Sequence, residues 1–226
     1  MSIMSAFIER CSELWDKTLT HPFVAGIGDG TLPVEKFRFY LVQDYHYLIA
    51  YCRAVAAAAY KAPNVETMRE MSGLLHSTLE TEMSLHRAYA AEFGIASDEL
   101  DKSSPAPTTT AYASYMLDIA ARRDFLANLV CILPCAVGYA EIGAKLKMQT
   151  GTQASPYQAW IDMYAGAEFQ AYATRLAEIV EEEADGLPAR AIEDLFDVFA
   201  TSTRYEWMFW EMAWTHEKWP VQAVID

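Results

Sequence analysis

Apolar residues return every three or four positions through almost the whole chain, and no stretch alternates apolar with polar residues between turn signals. A chain with that period buries its apolar stripes by packing helix on helix, so the fold class read here is all-α. The 226 residues, 53% of them apolar, suit one extended core, and residues 1–226 are read as a single domain. Helices joined by short connections predict a bundle whose ligand site lies in the core between facing helices.

The pattern divides into six to eight helices. The first runs from about Ser5 to Leu19 and stops before His21-Pro22, after which Gly26, Gly28 and Gly30 read as a loop. Thr31 is a candidate cap for a helix from about Pro33 to Lys61, with Glu35 in its first turn. Asn64 can cap the next helix, which reaches about Phe93 before Gly94, and Asp98 to Thr110 reads as a polar connector. Helical periodicity resumes near Ala111 and continues to about Thr150, with Gly151 as its stop. Ser155 and Gln158 have the spacing of a capping box around Pro156, opening a helix that Gly186 ends. A last helix spans Pro188 to about Glu217.

Seventeen basic residues against 31 acidic ones give a formal charge of -14, which repels phosphate backbones and anionic lipid. Nucleic acid and membrane are therefore not expected partners. No apolar run is read as approaching the roughly 18 to 20 residues of a membrane helix, and Met1-Ser2-Ile3-Met4-Ser5 lacks a leader pattern, so a cytoplasmic protein is expected. Cys11, Cys52, Cys131 and Cys135 form no C-x-x-C pair and are expected as reduced thiols. Cys131 and Cys135 lie one turn apart, but no second Cys/His pair completes a zinc site.

Cys135 follows Pro134 in the apolar run Leu129 to Cys135, where the missing N–H and the ring of proline are expected to kink the helix beside the sulfur. A buried cysteine is usually filler, but one beside a kink is also a candidate nucleophile. Tyr139 lies one turn on, and Gly138 between them allows close approach by a partner helix or ligand. Asp44, Tyr47 and Tyr51 share a helix face, and the carboxylate is either buried and hydrogen-bonded or at the surface beside half-buried phenols. Glu206 stands in the densest aromatic stretch, where desolvation raises a carboxyl pKa towards values useful in proton donation; its plainer reading is a core-edge partner of Arg204. Glu82 and His86 share a face and could ligate a metal with Glu80, Glu141 or Glu168, although the second Glu-His pair of a di-iron bundle is missing.

Taken in order, the run His21 to Pro33, Gln43-Asp44-Tyr45, Leu133-Pro134-Cys135, Tyr139 to Gly143, and Tyr205-Glu206 with Phe209 to Ala213 resemble the TenA family of thiaminase II enzymes along essentially the whole chain. The resemblance implies a haem-oxygenase-like helical bundle without haem, assembled as a homotetramer. It implies hydrolysis at the methylene on C5 of a 4-amino-2-methylpyrimidine, with thiamin or aminomethylpyrimidine as the small-molecule substrate and no metal or organic cofactor. Cys135 then falls on the nucleophile, Glu206 on the acid/base, and Asp44 on the carboxylate contacting the substrate amine and the thiol. Tyr112, Tyr139 and Tyr164 fall on site phenols, and Tyr47 and Phe209 on aromatic walls. Two other readings stay open: a di-iron oxidase of the same fold built on Glu82 and His86, and a non-catalytic regulator that keeps the pyrimidine pocket.

Overall fold

A computed structural model describes residues 2–150 and 155–221, and every regular element among the described residues is helical. The order is α1 (Ile3–Arg10), α2 (Ser12–Leu19), α3 (Pro22–Asp29), α4 (Val34–Lys61), α5 (Val65–Ser77), a π-helical turn (Thr78–Glu82), α6 (Met83–Glu92) and α7 (Ser97–Lys102). Then come α8 (Pro107–Arg122), α9 (Phe125–Thr150), α10 (Gln158–Ala165), α11 (Ala167–Ala184) and α12 (Ala189–Thr215). One hydrophobic cluster runs from Phe7 to Ala213.

Helix α9 is the axis around which α3, α4, α8, α10, α11 and α12 pack. Contrary to the sequence reading, Phe125–Gln149 is long and apolar enough to cross a bilayer, with mean hydropathy 1.8. Its apolarity is explained by position: 78% of that window is buried inside the bundle, where it packs against neighbouring helices. The helix also runs unbroken through Pro134, so the expected kink does not interrupt it.

Several boundaries differ from the sequence reading for local reasons. The first helix breaks at Cys11, which leaves helical geometry (φ -116, ψ 27) while its N–H still reaches the Phe7 and Ile8 carbonyls. The run with Gly26 and Gly28 is helix α3: the His21 ring accepts from the Phe23 N–H at 3.1 Å, and buried Phe23, Val24 and Ile27 outweigh the low helix propensity of glycine. Only Gly30 there is left-handed, at φ 75. Thr31 does not cap α4, because its N–H and hydroxyl both go to Asp29. Asn64 does cap α5, accepting from the Thr67 N–H at 2.8 Å.

The connector at 98–110 contains α7 and the start of α8, where Pro107 sits in the first turn and needs no N–H partner. Asp124 separates α8 from α9 by accepting from the Ala127 N–H at 2.9 Å. The capping box does not form: Ser155 accepts from the Tyr157 N–H and donates to the Ile27 carbonyl, while Gln158 turns forward to Asp162. Extended backbone at Gly166 (ψ 145) then divides α10 from α11. The expected stop at Gly151 lies outside the described residues.

Two contacts place the site-bearing helices. Gln43 of α4 accepts from the Ala106 N–H (2.7 Å) and the Thr109 hydroxyl (2.8 Å), fixing α8 against α4. Gly143 of α9 meets the α10 backbone directly, since a Cβ there would stand 2.6 Å from the Tyr164 carbonyl carbon. Gly138, by contrast, has only Trp15 at 3.8 Å, so the close approach expected at that glycine occurs one turn later. Gly143→Ala is expected to lower stability by about 1–3 kcal/mol through overpacking against backbone, read as a reduced urea midpoint, whereas Gly138→Ala, which meets only Trp15 at 3.8 Å, should raise the midpoint by the better helix propensity of alanine.

Candidate active site

Asp44, Tyr47 and Tyr51 of α4 form one buried stripe, each 5% exposed, which settles Asp44 as a buried carboxyl. Cys135 and Tyr139 of α9 face them, Tyr164 comes from α10, and Phe169 and Tyr172 come from α11. With Glu82 from the π-helical turn they enclose a cavity of about 30 Å³. Two larger cavities adjoin it. One, about 200 Å³, is bounded by Tyr40, Asp44, His86 and Trp160; the other, about 400 Å³, lies between α5 and α11 along Met71, Leu74, Leu176 and Ile179. Glu82 lines all three.

Ring contacts fix the walls. Tyr139 packs edge-on to Tyr164 at 4.8 Å, Trp160 backs Tyr164 at 4.6 Å, and the Tyr51 and Tyr172 hydroxyls bond each other. Tyr40 shares a 3.4 Å contact with the Tyr139 hydroxyl and accepts from the Trp160 indole at 3.3 Å. Such an enclosure favours a flat, apolar ring with polar edges.

Burial pushes the Cys135 thiol well above its ordinary pKa, and the charges of Glu206, then Asp44, then Glu82 push it further. The Tyr47 hydroxyl, buried without a well-aligned partner, opposes this as a donor to the sulfur. The resting thiol is therefore protonated and needs a base to react. Cys131, one turn earlier, is fully buried and takes a 3.4 Å contact from the Ser202 hydroxyl, so the two sulfurs serve different surroundings and make no metal pair.

Glu206 of α12 is 5% exposed and accepts from the Tyr112 hydroxyl at 2.5 Å, not from Arg204. Burial raises its pKa to about 8, Tyr112 opposing and the charge of Asp44 adding. It lines a void of about 10 Å³ with Pro134, Gly138 and Tyr139, so Tyr139 is the wall between that void and the cavity of Cys135. Tyr112 and Phe209 stand behind Tyr47, their ring centres 5.2 and 5.7 Å from its own. Of the residues expected in the site, Asp44, Tyr47, Cys135, Tyr139 and Tyr164 thus meet on one cavity, and Glu206, Tyr112 and Phe209 form the layer behind it.

Sequence reasoning missed Phe169 and Tyr172 and weighed Glu82 only as a metal ligand. Phe169 and Tyr172 are three apart just after Gly166, a one-turn aromatic pair that could have signalled a wall. His86 Nε2 lies 3.3 Å from Asp44 Oδ2, both buried, without good hydrogen-bond alignment. The carboxylates of the di-iron reading do not come to Glu82 and His86: Glu141 accepts from the Trp15 indole at 3.0 Å, and Glu80 and Glu168 are exposed. Among the described residues no group of three or more His, Cys, Asp or Glu is arranged to hold a metal ion.

An aminopyrimidine aminohydrolase of Halalkalibacterium halodurans is 44% identical over 97% of this chain and 98% of its own. A TenA family transcription regulator from a Silicibacter species has a solved structure that superposes with a TM-score of 0.89, at 30% identity over 94% of this chain and 96% of that one. A Shewanella denitrificans domain with a heme oxygenase-like fold superposes at 0.75 with 15% identity over 94% of this chain and 92% of that one, which shows the fold alone. The TENA/THI-4/PQQC family profile matches residues 8–216, and the chain belongs to that family.

Proposed function

We propose that this protein is an aminopyrimidine aminohydrolase of thiamin salvage, a thiaminase II. It converts 4-amino-5-aminomethyl-2-methylpyrimidine, and thiamin, to 4-amino-5-hydroxymethyl-2-methylpyrimidine. The observation that carries this reading is Cys135 on an aromatic-walled cavity whose remaining polar groups are carboxyls and phenols. The full-length likeness to an aminohydrolase supports it. A chain of this family that only sensed the pyrimidine would need no nucleophile, and release of ammonia from aminomethylpyrimidine separates the two roles.

An aminopyrimidine resists displacement at its side-chain methylene while its ring stays aromatic. Asp44 takes the thiol proton, and Cys135 Sγ adds to ring carbon C6 while Glu206 gives its proton to ring N1. The C–N bond of the methylene then breaks, the nitrogen leaving with the electron pair and the exocyclic carbon becoming an alkene. Water adds to that carbon and loses a proton to the departed nitrogen or the bulk, N1 returns its proton to Glu206, and expulsion of the thiolate, which regains its proton from Asp44, restores the ring. Glu206 suits the first proton transfer because burial keeps it protonated at neutral pH. Tyr47, Tyr139 and Tyr164 hold the ring, with Tyr112 and Phe209 supporting Tyr47 from behind. We further propose one domain over residues 1–226, working as a cytoplasmic homotetramer without a metal or organic cofactor; the chain's charge of -14 supports a site kept apart from nucleic acid and lipid.

Cys135→Ser is expected to fold, to bind hydroxymethylpyrimidine within about threefold of the parent by calorimetry, and to lose at least about 100-fold in kcat/KM for ammonia release; near-normal turnover would remove the nucleophile assignment. Glu206 gives a second check. Its carboxyl titrates near about 4.3 in the unfolded chain and about 8 in the fold. Between those values the folded state holds the extra proton, so this contribution to stability is full at low pH and is lost as pH rises to 8. Glu206→Gln, which stays neutral, should match the parent in urea at pH 5 and exceed it at pH 8; parallel pH curves for the two proteins would contradict the burial argument.

A further inference from the structure

Resting on the aminohydrolase reading, we infer that Glu82 is a further catalytic residue: its carboxylate pairs with the cationic nitrogen on the substrate's exocyclic methylene and, after that nitrogen leaves, takes the proton of the incoming water. Position is the first support. Glu82 lines the Cys135 cavity and both adjoining cavities, so a group projecting from a ring seated at Cys135 passes its carboxyl. It ends the π-helical turn, where the Met83 N–H reaches back five residues to the Thr78 carbonyl. Turns of this kind recur at functional sites.

Charge is the second support. Among the described residues no cation pairs with Glu82 and no donor hydrogen-bonds to it. The titratable groups around it are Asp44, Tyr47, Tyr51 and Cys52 of α4, His86 of α6, Cys135 and Tyr139 of α9, Tyr164 of α10 and Tyr172 of α11. His86 is the one base in that set, and it faces Asp44. The Tyr172 hydroxyl is engaged by Tyr51, and Arg175 in the outer cavity is engaged by Glu70, Glu178 and Glu182. Burial and the charge of Asp44 push Glu82 up to about 7, the mark of a carboxyl that lacks a cation. An alkylammonium group supplies one.

The balance closes with groups already named. The substrate ammonium loses its C–N bond and leaves as ammonia with the bonding pair; water forms the new C–O bond and gives its proton to Glu82, which passes it to the departing ammonia. Electrostatic pairing predicts a preference for a charged over a neutral substituent at that methylene.

The test compares Glu82→Gln and Glu82→Asp with the parent, using aminomethylpyrimidine and the neutral hydroxymethylpyrimidine as probes. Glu82→Gln should weaken aminomethylpyrimidine binding by about tenfold or more while changing hydroxymethylpyrimidine binding by less than about threefold. It should also lower kcat and remove the limb of the kcat/KM profile near pH 7, with Glu82→Asp restoring part of each. Equal weakening for both probes, or unchanged amine binding and turnover, would overturn the assignment. If the parent released no ammonia, the aminohydrolase reading would fail, while the two binding measurements would still report on Glu82.

Discussion

Three carboxyls and a thiol are gathered in a site where the described residues supply one imidazole, His86, and the cost of concentrating negative charge there organises it. Burial raises Glu206 and Glu82 towards neutrality, and the charge of Asp44 reinforces both shifts. The same field keeps Cys135 protonated. Reaction therefore starts from a protonated thiol and not from a preformed thiolate, and a proton must move before the sulfur can attack. That order protects the resting thiol from adventitious oxidation, since oxidation follows thiolate character.

The aromatic layer and the electrostatics depend on each other. Tyr112 ties down Glu206 while its ring stacks on Tyr205 at 5.0 Å and backs Tyr47, so the acid, its donor and the wall of the Cys135 cavity form one continuous packing unit. A change in the second layer is then felt at the sulfur without touching it. The void beside Glu206 and the cavity beside Cys135 are both far smaller than a substituted pyrimidine needs. Binding has to shift rings, and Tyr139, the wall between the two spaces, is the side chain whose movement joins them.

The helical class was legible because a 3.6-residue period sustained over this length admits no other reading. Asp44, Cys135 and Glu206 were legible through the order of their surrounding motifs, and Tyr47 with Tyr51 through helical spacing from Asp44. Boundaries were less so. Glycines at 26 and 28 read as a loop because propensity is local, whereas α3 is held by burial of Phe23, Val24 and Ile27 against distant helices. The capping box at Ser155 failed for a similar reason, its hydroxyl being drawn to the Ile27 carbonyl 128 residues away. Glu82 was hidden because its significance lies in which cavities meet beside it, a property that no single helix carries in its spacing.

The absence of any clearance at Gly143 has a mechanical consequence. With α10 seated on the backbone of α9, Tyr164 cannot retreat along that side, and the floor of the pocket is stiff. The π-helical turn and α11 border the widest opening on the opposite flank. The enclosure thus has the build of a vise with one fixed jaw, α10 against α9, set opposite its wider mouth between α5 and α11.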